Sequence, residues 1–217
     1  MIKVEKVQVW GFEHAVRGMR NPYDSWEKSD STFCKVTDCY NCDNTYLGKP
    51  CFVIGANDLK LMRQLFAAGT EHRKFLRQIV VSMDIIAPFY WWKEFDTYKV
   101  GTVANSCSTM HTIAKKEFTL DDFSTEHLTN TSIKVLGDLI RTMNVFRDSY
   151  LRNGNKVDWW QLIQLLPTSY NQKRTVTFNY ENAATIIKQR NNHKLNEWND
   201  FIEELLKLPN LAKIIGK

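Results

Sequence analysis

Residues 69–111, GTEHRKFLRQIVVSMDIIAPFYWWKEFDTYKVGTVANSCSTMH, decide the fold of this chain. Ile79, Val81, Met83 and Ile85 recur at period two, so residues 79–86 read as a strand with one face in the core. Ala87-Pro88 follows. Proline presets φ for a helix and lacks an N–H that the first turn would leave unbonded, so FYWWKEFDTYK reads as a helix starting there. Trp91, Phe95 and Tyr98 share one side of it. Past Lys99 the chain becomes small and hydroxyl-bearing, GTVANSCSTMH, a composition that forms a turn or cradles an anion. Strand, aromatic helix and polar loop in succession describe a binding crevice without naming its ligand.

Upstream, Val4, Val7 and Val9 give residues 2–10 a strand pattern, and a helix over Phe12–Met19 is stopped by the NPYD turn at 21–24. DLKLMRQLFAA, residues 58–68, is an amphipathic helix with Leu61, Met62, Leu65 and Phe66 inward, ended by Gly69. Downstream, Thr119 and Asp122 can cap a short LDDF turn. Residues 133–150 form a longer helix with Ile133, Leu136, Leu139, Ile140, Met143 and Phe146 as core candidates. A short helix at 159–166 stops at Pro167, TSYNQKRTVTFN is an extended or irregular connection, and a final long helix spans 180–206. On that helix His193 and Glu197, four residues apart, face the same space. They lack the spacing of an HExxH site and a third metal ligand.

With 217 residues, 43% hydrophobic and 24% charged, the chain can bury one substantial core. No Pro/Gly/Ser-rich linker or charge block divides it, so residues 1–217 read as one domain. The formal charge of +5 comes from 29 basic and 24 acidic side chains. That dispersed excess suits phosphate-bearing partners, but no basic-aromatic repeat marks a nucleic-acid binder. The chain shows no secretory h-region or apolar run of membrane length, so a cytoplasmic protein is expected and no membrane partner.

Residues 30–56 form a cysteine-containing excursion. Cys34, Cys39, Cys42 and Cys51 could supply four sulfur ligands, since a Cys-x2-Cys pair can turn two thiolates to one metal. The flanking spacings do not make a standard pair of knuckles. A redox pair and ordinary reduced thiols are the other readings, and a cytosolic compartment favours the last. GxGxxG, Walker A, HExxH and GxSxG are all absent, which removes the simplest routes to dinucleotide dehydrogenases, P-loop enzymes, zinc proteases and α/β-hydrolases.

Two blocks in order, DLKLMRQLFAAGTEHRKFLRQIVVSMDIIAPFYWWKEFDTYK and LLPTSYNQKRTVTFNYENAATIIKQRNNHKLNE, resemble the flavin-dependent thymidylate synthase family. The likeness is carried by Ala87-Pro88, Lys93-Glu94 and Thr97-Tyr98-Lys99, then by Leu166-Pro167, Asn179, Arg190, His193 and Glu197. It covers residues 58–111 and 157–205 well, and 1–20 weakly. It implies an α+β fold, a mixed or antiparallel sheet flanked by helices. It also implies FAD held in a homo-oligomer, with a tetramer favoured, and reductive methylation of the pyrimidine nucleotide dUMP to dTMP with methylenetetrahydrofolate and NADPH.

Carried over by position, Lys99, Asn179 and His193 would contact the cofactor, and Glu94, Asn105, Ser108 and Arg190 the substrate. FAD would supply the redox chemistry, so no side chain is named as catalytic. No Ser-His-Asp pattern activates Ser108, and a contact to nucleotide is the role the resemblance implies for it; Cys107 reads as a structural thiol. Several positions depart from the family pattern. Thr97 and Tyr98 stand for an arginine and a histidine, Lys99 lacks an arginine's fork, and Glu94 replaces a glutamine. Thr109-Met110 replaces a Gly-Arg, while Ile163 and Glu181 each replace an arginine. These losses motivate the alternative reading, an inactive or structural homologue that binds another nucleotide, small ligand or protein.

Overall fold

The computed structural model describes residues 2–34 and 52–217. Along the chain lie β1 (Lys3–Trp10), α1 (Phe12–Arg20), β2 (Thr32–Phe33), β3 (Phe52–Val53), α2 (Ala56–Ala67) and β4 (Val80–Pro88). Next come α3 (Phe89–Phe95), β5 (Val103–Ser106), α4 (Thr109–Thr112), α5 (Asn130–Asn153), α6 (Lys156–Leu165) and β6 (Asn171–Asn179). The chain ends in α7 (Tyr180–Arg190), α8 (Asn196–Leu206) and α9 (Leu211–Ile215). The class is the expected α+β. A four-stranded sheet has the order β1-β4-β6-β5, and β2 pairs antiparallel with β3, Phe33 opposite Phe52.

Packing groups the chain into two compact units, one mainly Asp84–Thr97 with Ala104–Thr175, the other Val4–Met83, Tyr98–Val103 and Val176–Lys217. In the second unit, Ile79, Val81 and Met83 are buried, as their alternation requires. Phe12, Val16 and Met19 bury one face of α1. Gly11 precedes that helix with φ +98°, and a Cβ there would lie 2.0 Å from the Gln78 carbonyl oxygen, so only glycine fits. The Tyr180 amide donates to Ile79 O at 3.0 Å and its hydroxyl to Pro209 O at 2.6 Å, tying α7 at both ends of one residue. Trp198, Phe201 and Leu205 of α8 and Leu211 of α9 are fully buried.

In the first unit, Leu136, Ile140 and Met143 of α5 pack with Leu162 of α6 and with Ile113, Phe118 and Phe123. The 3.6-residue period of α5 brings these core residues to one stripe. Thr129 caps its start by accepting from the Ser132 amide, and Gly154 closes it in the left-handed conformation. The Thr119/Asp122 capping box forms as the sequence predicts. Trp91 and Trp92 of α3 are wholly buried, and Trp91 stacks on Phe95 at 5.1 Å.

Three expectations are revised. The helix expected over 180–206 is two helices, α7 and α8, separated at residues 191–195. Asn191-Asn192 stands at the break with Asn192 at φ 58°, a conformation asparagine tolerates better than most residues. His193 and Glu197 therefore do not share one helix. TSYNQKRTVTFN contains a regular strand, β6, and the helix after Pro88 ends at Phe95, leaving Tyr98 and Lys99 in the following loop. Cys39, Cys42 and Cys51 lie outside the described residues, and Cys34 is half-buried next to β2. No group of three or more His, Cys, Asp or Glu able to hold a metal occurs among the described residues. No helix among them is long and apolar enough to cross a membrane.

Candidate functional site

The two ends of α7 organise the candidate residues of the second unit. At its start Asn179 and Asn182 cap each other: the Asn182 amide donates to Asn179 Oδ1 at 3.1 Å, and the Asn179 amide to Asn182 Oδ1 at 3.3 Å. Asn182 Nδ2 also donates to Val100 O at 2.8 Å, drawing the loop after α3 onto the helix start. Gly101 sits in that loop at φ +73°, where a Cβ would come within 3.1 Å of Asn179 Nδ2. This close approach holds the loop carrying the exposed Lys99 beside Asn179. The Asn179 carboxamide oxygen is engaged by the cap, which leaves its amide nitrogen as the group directed at the loop.

Arg190 is the last residue of α7. Its Nε donates to the Tyr98 hydroxyl at 2.9 Å, and its guanidinium carbon lies 4.6 Å from the centre of a Trp198 ring. Stacking on an indole suits a flat, weakly hydrated cation. His193 lies in the α7–α8 break. Its Nδ1 accepts from the Leu195 amide at 3.1 Å, and its Nε2 is 3.2 Å from Arg190 Nη1. Arg190 and His193 are thus brought together directly, with Tyr98 completing the cluster.

Glu181, in the first turn of α7, receives both Nε (3.0 Å) and Nη2 (2.8 Å) of Arg73 on the single oxygen Oε1. Its Oε2 is buried with no hydrogen-bond partner among the described residues. Arg73 also lies 5.0 Å over the Phe66 ring. The acidic residue at 181 is therefore matched by a cation from another stretch, one that sequence reading missed.

The other expected contacts fall in the first unit. Glu94 is half-buried on α3, and its carbonyl accepts the Thr97 amide (3.1 Å) and hydroxyl (2.7 Å). Asn105 is exposed on β5, and Ser108 is half-buried just before α4. Cys107 is docked on β6: its amide donates to Lys173 O at 2.9 Å, and its carbonyl accepts from Gln172 Nε2 at 2.8 Å. Arg174 donates from Nε to Gln172 Oε1 (2.9 Å) and from Nη1 to Asp96 (2.8 Å), 4.3 Å above a Trp92 ring. Lys173 and Thr175 bind Asp84 at 3.0 and 2.6 Å. Gln172 and Arg174, two residues apart on β6, share one face of the strand.

Met110 is exposed, whereas Ile163 packs against the core of α5 and α6, so an arginine is not simply deleted at 163: an apolar residue fills that place.

This arrangement belongs to a known architecture, the fold of flavin-dependent thymidylate synthases. The chain is similar to ThyX from Helicobacter pylori solved with FAD and dUMP, with a TM-score of 0.67 at 15% identity over 98% of this chain and 97% of that one. A second structure of the same enzyme with FAD and dUMP has a TM-score of 0.67 at 16% identity over 99% and 97%. No family model matches the sequence, and no curated protein matches it closely enough to count as a relative. At this identity the likeness establishes the shared fold.

Proposed function

We propose that the chain is a divergent flavin-dependent thymidylate synthase-like protein that reductively methylates dUMP to dTMP, with methylenetetrahydrofolate as methylene donor and NADPH as reductant. The observation that carries this reading is the assembly around α7, in a fold matched along nearly the whole chain: Asn179 and the Lys99 loop at one end, Arg190 with His193 at the other. Bound FAD would supply the hydride chemistry. The residues fit such a group by charge and hydrogen bonding. Lys99 is an exposed cation for a diphosphate, Gly101 lets its loop close on the start of α7, and Asn179 presents an amide donor. Glu94, Asn105, Ser108 and Arg190 are assigned to the pyrimidine nucleotide. A homo-oligomer, tetramer favoured, would contribute residues from neighbouring chains.

The test is to reconstitute purified protein with FAD under reducing conditions and record its absorption spectrum, then to follow dUMP-dependent oxidation of the reduced flavin by methylenetetrahydrofolate. A flavin spectrum that saturates with added FAD, with oxidation that requires dUMP, is expected. A colourless protein that takes up no FAD sinks the proposal. A second reading, an inactive homologue holding another nucleotide, small ligand or protein, is favoured by Ile163 packed half-buried against the α5–α6 core and Glu181 paired to Arg73. FAD uptake without dUMP-dependent turnover would favour it.

A further inference from the structure

We propose that Arg174 is the cation of an anion subsite on the Ser108 face of β6, taking a phosphate monoester, and that Asp96 holds its guanidinium until the anion arrives. The nucleotide in question rests on the reading above; the geometry belongs to this unit alone. Arg174 is fixed on three sides, by Trp92 beneath, Gln172 at Nε and Asp96 at Nη1. Its Nη2 has no hydrogen-bond partner among the described residues. The same Gln172 carboxamide binds the Cys107 carbonyl, so Arg174 stands one carboxamide away from the turn that leads into Ser108. The Ser108 side chain is half-buried and gives no capping hydrogen bond to α4.

A phosphate monoester has three terminal oxygens and nearly two charges, so it can take an arginine edge and a hydroxyl together. Asp96 is 46% exposed against 15% for Arg174. An ion pair with a solvated carboxylate is weak, and an incoming dianion can displace the carboxylate without leaving Arg174 unpaired. Stacking on Trp92 keeps the guanidinium in place during that exchange.

Titration calorimetry at low salt with dUMP, deoxyuridine and inorganic phosphate tests this on the full chain, with FAD uptake measured on the same samples. Arg174→Gln is expected to weaken dUMP binding at least about tenfold and to leave deoxyuridine unchanged. Arg174→Lys, which keeps the charge without the fork, is expected to fall between Arg174→Gln and the native protein. Asp96→Asn is expected to tighten dUMP and phosphate binding, an effect a merely structural strut would not produce. Native dUMP affinity in Arg174→Gln, or weakened binding in Asp96→Asn, overturns the proposal while leaving FAD uptake intact. A native protein that takes up FAD but binds neither dUMP nor phosphate overturns it too. Arginine-dependent dUMP binding without FAD uptake supports it and sinks the flavin reading.

Discussion

Asp58 is fully buried and accepts from Arg20 Nε and from the hydroxyls of Ser29 and Ser31, each at 2.6 Å. Burial alone would raise its pKa, but the two serine hydroxyls and the Arg20 guanidinium outweigh it and hold the carboxyl below its usual value. A depressed folded-state pKa contributes stability in full above the unfolded value of about 3.9, and that stability is lost as pH falls through the folded-state value. Asp58→Asn leaves the Arg20 charge buried without its partner. We expect a loss of about 3–5 kcal/mol at pH 7 and a flatter acid limb below pH ~4, measured by denaturant melts across pH. The Tyr98 hydroxyl holds Arg190. Tyr98→Phe removes the acceptor for Arg190 Nε and is expected to lower stability by about 1 kcal/mol, read from the same melts.

The start of α7 is where element and site coincide. The Asn179–Asn182 box satisfies helix-end donors and, through Val100, positions the Lys99 loop. Asn179→Ala is expected to destabilise by about 1 kcal/mol and to reduce FAD uptake in parallel. Gly101→Ala, forced into φ +73° with its Cβ against Asn179 Nδ2, is expected to lose about 1–2 kcal/mol. If Gly101→Ala melts at the native temperature, the loop does not hold the position described. The α7–α8 break has its own local cause, Asn192 at φ 58°. Asn192→Gly should leave stability within a few tenths of a kcal/mol, whereas Asn192→Val should lower it by about 1–2 kcal/mol.

At the scale of the molecule, β4 and β6 each contribute residues to both compact units. We propose that residues 1–217 form one cooperative domain, because melting either unit would remove part of a strand from the other. Calorimetry is expected to give one transition whose measured enthalpy equals the van't Hoff value. Two separated transitions would refute this.

Local periodicity made much of the architecture legible in sequence. The buried alternation at Ile79, Val81, Met83 and Ile85, the helix after Pro88, the Thr119–Asp122 box and the α5 stripe each depend on residues a few positions apart. Lys99, Asn179 and Arg190 could be named because the two family-like blocks keep their order. What the side chains meet was not legible. Arg73 and Glu181 are 108 residues apart, and Arg174 and Asp96 are 78 apart, and no local spacing encodes either pair. The polar alternation of β6 became a regular strand only through its neighbours in the sheet, because strand pairing draws its hydrogen bonds from elsewhere in the chain. Sequence determined most of the helices and strands and where the residues singled out by the family resemblance lie along the chain. Tertiary packing decided that the carboxylate at 181 is answered by Arg73, that Ile163 packs half-buried against the α5–α6 core, and that Arg174 meets Gln172 and Asp96, because burial and charge pairing depend on proximity in space.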